Sequence, residues 1–219
     1  MITYEDIKNS KEIQTYIKKA DDSLVELGYT EHSFAHVGKV ANHAQEILLK
    51  LGYDERTAEL ARIAGYMHDI GNVVNRVDHA QSSAIMAFRI LDKMGMDVAE
   101  IATIISAIGN HDEATAVPVN AVAAALILAD KSDVRRSRVR NRDLASFDIH
   151  DRVNYSVESS TLIIDEVNNY AVLNLKIDTE LFTIMDYFEI FLGRMLLCRR
   201  AAEFLKLRFK LVINEVELL

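Results

Sequence analysis

Several ionisable side chains stand where the hydrophobic pattern of this chain calls for apolar ones. The stripe Leu60, Ile63, Ala64, Met67 runs directly into His68-Asp69. A second stripe, Ile101, Ile104, Ile105, Ile108, continues on its own face into His111 and Asp112. A third, Val122, Ala123, Leu126, Ile127, continues into Asp130, and His36 sits beside Val37, one turn before Val40. Three-four spacing makes each stripe the buried face of a helix. A carboxylate at the end of such a face must be paired, protonated or bound to a metal. Imidazoles and carboxylates gathered from facing helices are the material of a metal site in a helical bundle. Taken singly, His36, His79 or His111 reads more readily as a hydrogen-bonded histidine, and Asp130 beside Lys131 reads as well as an ion pair. Their joint placement at one end of a shared core is what points to a metal.

The elements that must position these groups are helices joined by short loops. Thr3 and Asp6 form a start signal for a helix to about Leu27, stopped by Gly28. Phe34, Val37, Val40, Ala44, Ile47 and Leu51 define a second helix, and Asp54 caps a third through about Asp69. Asp78 with Gln81 and Asp97 with Glu100 open two more, separated by Gly95. Pro118 suits the first turn of the next, which runs to about Ser132.

Beyond about Ser146 the pattern changes. Val153, Tyr155 and Val157 alternate as a strand would, Leu162 to Ile164 is a short apolar run, and Tyr170 and Val172 alternate again. Asn168-Asn169 is the expected turn between two strands. Thr179 to about Lys206 reads as a long helix and Phe209 to Ile213 as a closing strand. The expected division is a helical domain over residues 1–147 and an α+β unit over 148–219, built as strand hairpin, long helix, strand.

Composition narrows the function. The chain has 219 residues, a formal net charge of −8, one proline and one cysteine. A single Cys198 excludes an internal disulfide framework or a cysteine-built zinc site, and its apolar neighbours suit an inert thiol. The longest apolar run, Ala121 to Ala129, is far short of a membrane span, and no secretory signal is visible, so a cytoplasmic location is expected. The acidic balance argues against nucleic acid as a partner. Against it stands one basic stretch, Lys131, Arg135, Arg136, Arg138, Arg140 and Arg142.

The motifs resemble the HD-domain superfamily of metal-dependent phosphohydrolases. The matching pieces are His36-Val37-Gly38-Lys39-Val40, Tyr66-Met67-His68-Asp69-Ile70-Gly71 and Ile127-Leu128-Ala129-Asp130-Lys131-Ser132-Asp133. Between them lie His79, in Asp78-His79-Ala80-Gln81, and His111, in Gly109-Asn110-His111-Asp112-Glu113, so the likeness covers about residues 30–135. It implies an HD-type helical bundle in which His36, His68, Asp69 and Asp130 hold one metal. The extra histidines suit the binuclear branch, where His79 and His111 hold a second metal and Asp69 bridges both. Iron or manganese fits such a mixed set, with zinc or magnesium as alternatives.

The same resemblance implies a bridging hydroxide that attacks phosphorus in a nucleotide or other small phosphate ester, with His68 and Asp69 at the catalytic centre. Arg135 and Arg136 follow Asp130 closely enough to be candidates for holding substrate phosphate. Three departures restrict the substrate. Asn72 replaces the family's frequent lysine, no Gly-Tyr-Pro follows His111, and no Glu-Asp pair follows His68-Asp69. Cyclic-dinucleotide and alarmone substrates are therefore disfavoured. His32 and His43, near His36, are expected at the surface.

The long C-terminal helix carries Tyr187, Phe188, Ile190, Phe191, Met195 and Leu196 on one side, with Arg194, Arg199 and Arg200 expected on its solvated face. A dimerisation or substrate-lid role is expected there, and a homodimer overall. Two other functions would use the same ligands: a di-iron oxygenase, and a non-catalytic sensor of metal or nucleotide.

Overall fold

The computed structural model describes residues 1–141, 147, 149–180 and 183–218, so Arg142 of the basic stretch lies outside them. Its main body is helical: α1 (Tyr4–Asn9), α2 (Lys11–Glu26), α3 (Phe34–Lys50), α4 (Glu55–Met67), α5 (His79–Lys93), α6 (Val98–Gly109) and α7 (Ala121–Lys131). A short 3-10 turn, Ile70–Val73, follows α4. The C-terminal part adds α8 (Ile149–Ser156), β1 (Val157–Asp165), β2 (Tyr170–Ile177), α9 (Ile184–Phe204), β3 (Arg208–Ile213) and β4 (Val216–Glu217). The fold is thus mainly α, with the small α+β unit at the C-terminal end that the patterning implies.

Local chemistry explains most boundaries. Thr3 and Asp6 form a reciprocal capping box on α1, and Asp54 and Asp97 cap α4 and α6 through backbone N–H groups. The expected single helix from Thr3 to Leu27 is in fact two. Ser10 takes an extended conformation and accepts a hydrogen bond from the Ile13 amide, restarting the helix as α2. Two other start signals act differently. Asp78 adopts left-handed φ of 57° and makes no side-chain cap, while Asn120, two residues past Pro118, accepts from Ala123 to cap α7.

The helices pack closely. A Cβ on Gly65 of α4 would lie 2.8 Å from Ala41 Cα of α3, so the absence of a side chain sets that helix separation. The segment containing Val153 and Tyr155 is helical, not a strand. Val153 is fully buried within α8, while Val157 is the first residue of β1, so the alternating pattern runs across a helix-to-strand boundary.

The sheet order is β1-β2-β3-β4. β1 and β2 form an antiparallel hairpin turned at Asn169 (φ 60°), β3 lies parallel to β2, and β4 returns antiparallel. The parallel pair needs a crossover, which α9 supplies. That helix starts at Ile184, capped by Thr183 and Asp186, and not at Thr179, which lies in a turn. Its buried Tyr187, Phe191, Met195 and Cys198 belong to one continuous apolar core that runs from Tyr4 to Ile213. The helical body and the C-terminal unit therefore share their interior. No helix among the described residues is long and apolar enough to cross a membrane.

Candidate metal centre

Helix ends converge on one point. His36 lies in the first turn of α3, His68 caps α4, and Asp69 leads into the 3-10 turn. His79 opens α5, His111 follows α6 by two residues, and Asp130 lies in the last turn of α7. All six side chains are buried, and the structure brings all six together.

Each imidazole is oriented by its Nδ1. His68 Nδ1 donates to Gly65 O at 2.8 Å, His79 to Arg76 O at 3.0 Å, and His111 to Ile108 O at 2.6 Å. A carbonyl can only accept, so in the neutral ring every Nε2 is left with a bare lone pair directed inward. His36 Nδ1 contacts Asp133 Oδ2 at 2.8 Å. The consequence is visible at the centre: among the described residues, the buried Nε2 atoms of His36 and His68 have no hydrogen-bond partner. Those of His79 and His111 face each other at 3.2 Å. Lone pairs so placed repel unless a cation or proton lies between them.

Asp69 divides its two oxygens between two histidine pairs. Oδ2 lies 3.2 Å from His68 Nε2 and 3.8 Å from His36 Nε2, while Oδ1 lies 3.5 Å from His79 and 3.8 Å from His111. Asp130 joins the first pair through Oδ1, 3.3 Å from His36 and 3.6 Å from His68. Such spacings are edges of a coordination polyhedron with bonds of about 2.0–2.2 Å. The donor set fits a divalent cation at each side of Asp69.

Electrostatics agree. Burial raises the carboxyl of Asp69, but His68 and His111 outweigh it and hold the group well below the usual range; Lys131, His36 and His68 do the same for Asp130. Burial works against charge on His68 as well, yet Asp69 and Asp130 prevail and push its pKa up to about 10. His79, with burial dominant and His111 beside it, is pulled down to about 4. The two carboxylates therefore demand positive charge at their shared centre.

Residues without an assigned role in the sequence reading support this arrangement. Asp133 is fully buried and also accepts Lys39 Nζ at 2.7 Å and Arg135 Nε at 2.9 Å, so its charge fixes the His36 ring. Asn72 donates from Nδ2 to Asp69 Oδ1 at 3.1 Å and to Asp69 O at 2.9 Å, bracing the dividing carboxylate. The cation that Asn72 removes from the motif returns one turn later, as Arg76, whose Nη1 donates to Asn72 Oδ1 at 3.2 Å. Gly71 is required by contact. A Cβ there would overlap the Ser83 amide and the His79 carbonyl. Gly71→Ala is accordingly expected to cost about 2–3 kcal/mol of overpacking and to lower Tm by roughly 5–10 °C. It should also displace His79, which a thermal melt paired with metal analysis would check.

A cavity of about 390 Å³ opens onto Asp69, His79, His111 and Asp130. Arg135 and Arg136 do not reach it. Arg135 is consumed by Asp133, Glu31 and Ser137, and Arg136 by Tyr155 O at 2.6 Å and Asp178 at 3.6 Å. Adjacency to Asp130 in sequence misleads because the chain leaves α7 and turns away from the centre. The cations that line the cavity are Arg76, Lys131, Arg138 and Arg194. Arg194 of α9 is thus not on a solvated face, whereas Arg199 and Arg200 are exposed. His32, expected at the surface, also lines the cavity, its ring edge-on to His36 at 5.4 Å. Cys198 is buried, which pushes its thiol up to about 12 and keeps it unreactive.

The HD domain family model matches residues 33–152. An uncharacterized protein of Methanocaldococcus jannaschii is 27% identical over 159 residues, which are 63% of this chain and 61% of that protein. The chain thus spans less than two thirds of that relative's length. A crystal structure of a predicted HD superfamily hydrolase from an uncultured Thermotogales bacterium is 27% identical, with a TM-score of 0.46, covering 57% of this chain and 68% of the other. With the family model matched over more than half its length and the six motif residues gathered at one buried point, the chain belongs to the HD-domain superfamily.

Proposed function

We propose that the chain is a metal-dependent hydrolase of a phosphate ester, acting on a nucleotide or another small phosphorylated substrate. In this reading His36, His68, Asp69 and Asp130 hold one divalent cation, and His79, His111 and Asp69 hold a second. Iron or manganese suits this mixture of imidazole and carboxylate best. The observation that carries the reading is the division of Asp69, one oxygen toward each histidine pair. Two cations held on either side of Asp69 would repel, and a shared carboxylate would offset that repulsion.

Bound there, the cations supply an activated water near neutral pH and stabilise charge on the phosphoryl oxygens. The protein contributes orientation. Backbone carbonyls fix three of the histidine rings, Asp133 fixes the fourth, and Asn72 holds Asp69 Oδ1 in place. Burial of all six groups keeps competing water away and leaves the cavity as the route of approach.

The test is metal content per chain by mass spectrometry, on protein purified anaerobically without chelator, followed by a panel of phosphate esters. About two iron or manganese ions per chain, with phosphate release lost on chelation and restored by metal, is the expected result. Failure to retain metal after reconstitution, or no phosphate release from any ester by the loaded protein, would overturn it.

A further inference from the structure

The matched family region ends at residue 152, yet the cavity wall does not. Phe191 and Arg194, both on α9, complete it. Arg194 Nε donates to Glu113 Oε1 at 2.7 Å, and its guanidinium lies over the Phe191 ring at 4.0 Å. Phe191 is buried, so the guanidinium plane is fixed from below. Among the described residues nothing takes the two Nη groups. Glu113 serves a second cation, Lys131, whose Nζ lies 3.7 Å from the same Oε1 and 2.7 Å from Asp130 Oδ2. Two cations thus share one glutamate on the wall that also holds Asp130. Glu113 and Asp130 balance these two charges, so what the wall offers an incoming anion is the pair of Nη groups that Glu113 leaves open.

We propose that Arg194 is a substrate-binding residue of this centre, an anion clamp for the phosphoryl group. Its two Nη groups hold non-reacting phosphate oxygens as a fork while Lys131 adds charge beside them. A guanidinium committed at Nε and open at both Nη positions suits bidentate contact with phosphate. Glu113 and Phe191 are positioning residues: one tethers the fork, the other sets its plane. The proposal rests on the hydrolase reading above and deepens it. It also gives the C-terminal unit a function: α9 brings to the helical body a cation that the family region lacks.

The probe is inorganic phosphate, the product common to every monoester, titrated calorimetrically into the metal-loaded protein. Arg194→Met is expected to weaken phosphate binding about 10- to 100-fold while metal content stays that of the wild type. A structural tie between Arg194 and Glu113 would give the same loss by leaving Glu113 unpaired, so Arg194→Met is combined with Glu113→Gln. The clamp predicts that binding stays weak in the double variant; recovery to wild-type affinity would overturn it. An independent reading avoids the variants altogether. Phenylglyoxal labelling of the loaded wild type, followed by peptide mass spectrometry, should show Arg194 protected by phosphate. Equal labelling with and without phosphate would sink the clamp, as would equal affinity in wild type and Arg194→Met, and neither result touches the hydrolase reading. A loaded wild type that binds no phosphate would also overturn the clamp, while the hydrolase reading is decided separately by phosphate release from the ester panel.

Discussion

Asp69→Ala is expected to strip metal from both sides of the centre and to reduce phosphate-ester hydrolysis by roughly 10³-fold or more, with the helical circular-dichroism signal retained. The size follows from the geometry. Asp69 is the carboxylate that reaches both histidine pairs, with Oδ2 beside His36 and His68 and Oδ1 beside His79 and His111. Its removal would delete a ligand from each side and, among the described residues, the carboxylate that lies between them. The fold should tolerate the change, because Asp69 lies in the 3-10 turn after α4 and the apolar core is built by other residues. Asp69→Asn is the sharper control. It keeps the volume and one oxygen, so it should retain part of the metal on one side while losing activity nearly as fully. Metal analysis and a phosphate assay on the same preparations decide the matter. An Asp69→Ala protein with full metal content would remove the bridge from the mechanism.

The centre was legible in the sequence because its residues interrupt strong patterns. His68-Asp69, His111 and Asp130 each extend an apolar helical stripe; any one alone reads as a hydrogen-bonded or ion-paired group, and their convergence is what marks a site. The helices that carry them follow from capping residues and three-four spacing, and Asp54, Asp97 and the Thr3-Asp6 box do cap where their spacing implies. What a periodic pattern cannot convey is where a chain goes between elements. Arg135 and Arg136 stand close to Asp130 in sequence, but the polypeptide turns at Ser132 and delivers them to Glu31, Asp133 and Tyr155. Arg194, 64 positions past Asp130, is delivered to the cavity by the packing of α9 on the helical body.

Asp133 and Asn72 went unassigned for a related reason. Asp133 stands inside a motif and Asn72 directly after one, but they act by hydrogen bonding to motif residues, and a linear sequence carries no signal for that. The C-terminal unit shows the limits of periodicity as well. Val153 and Tyr155 fall in α8 and Val157 opens β1, so one alternating run crosses a helix-to-strand boundary that its spacing does not mark.

His111→Ala is expected to separate the two sides that Asp69→Ala removes together. His111 lies behind His79, 3.2 Å from its Nε2 and 3.8 Å from Asp69 Oδ1, so its shortest contacts are on the His79 side, with the His68 ring 4.9 Å away. The variant should therefore keep about one metal ion per chain, held by His36, His68, Asp69 and Asp130, and lose the other. Hydrolysis should fall by roughly 10²–10³-fold, since one of the two charges facing the phosphoryl oxygens is gone while the other remains. His79→Ala should behave alike, because its Nε2 approaches the same Asp69 oxygen at 3.5 Å. The double variant should then be little worse than either single one, as residues acting as a unit are not additive. Metal stoichiometry discriminates among the outcomes. Two ions per chain in both single variants would mean that His79 and His111 are not ligands, and their pairing at 3.2 Å would need a proton instead. Loss of both ions in His111→Ala would mean that the sides are not separable, and that His111, with its ring 4.9 Å from that of His68, supports the first cation as well as the second.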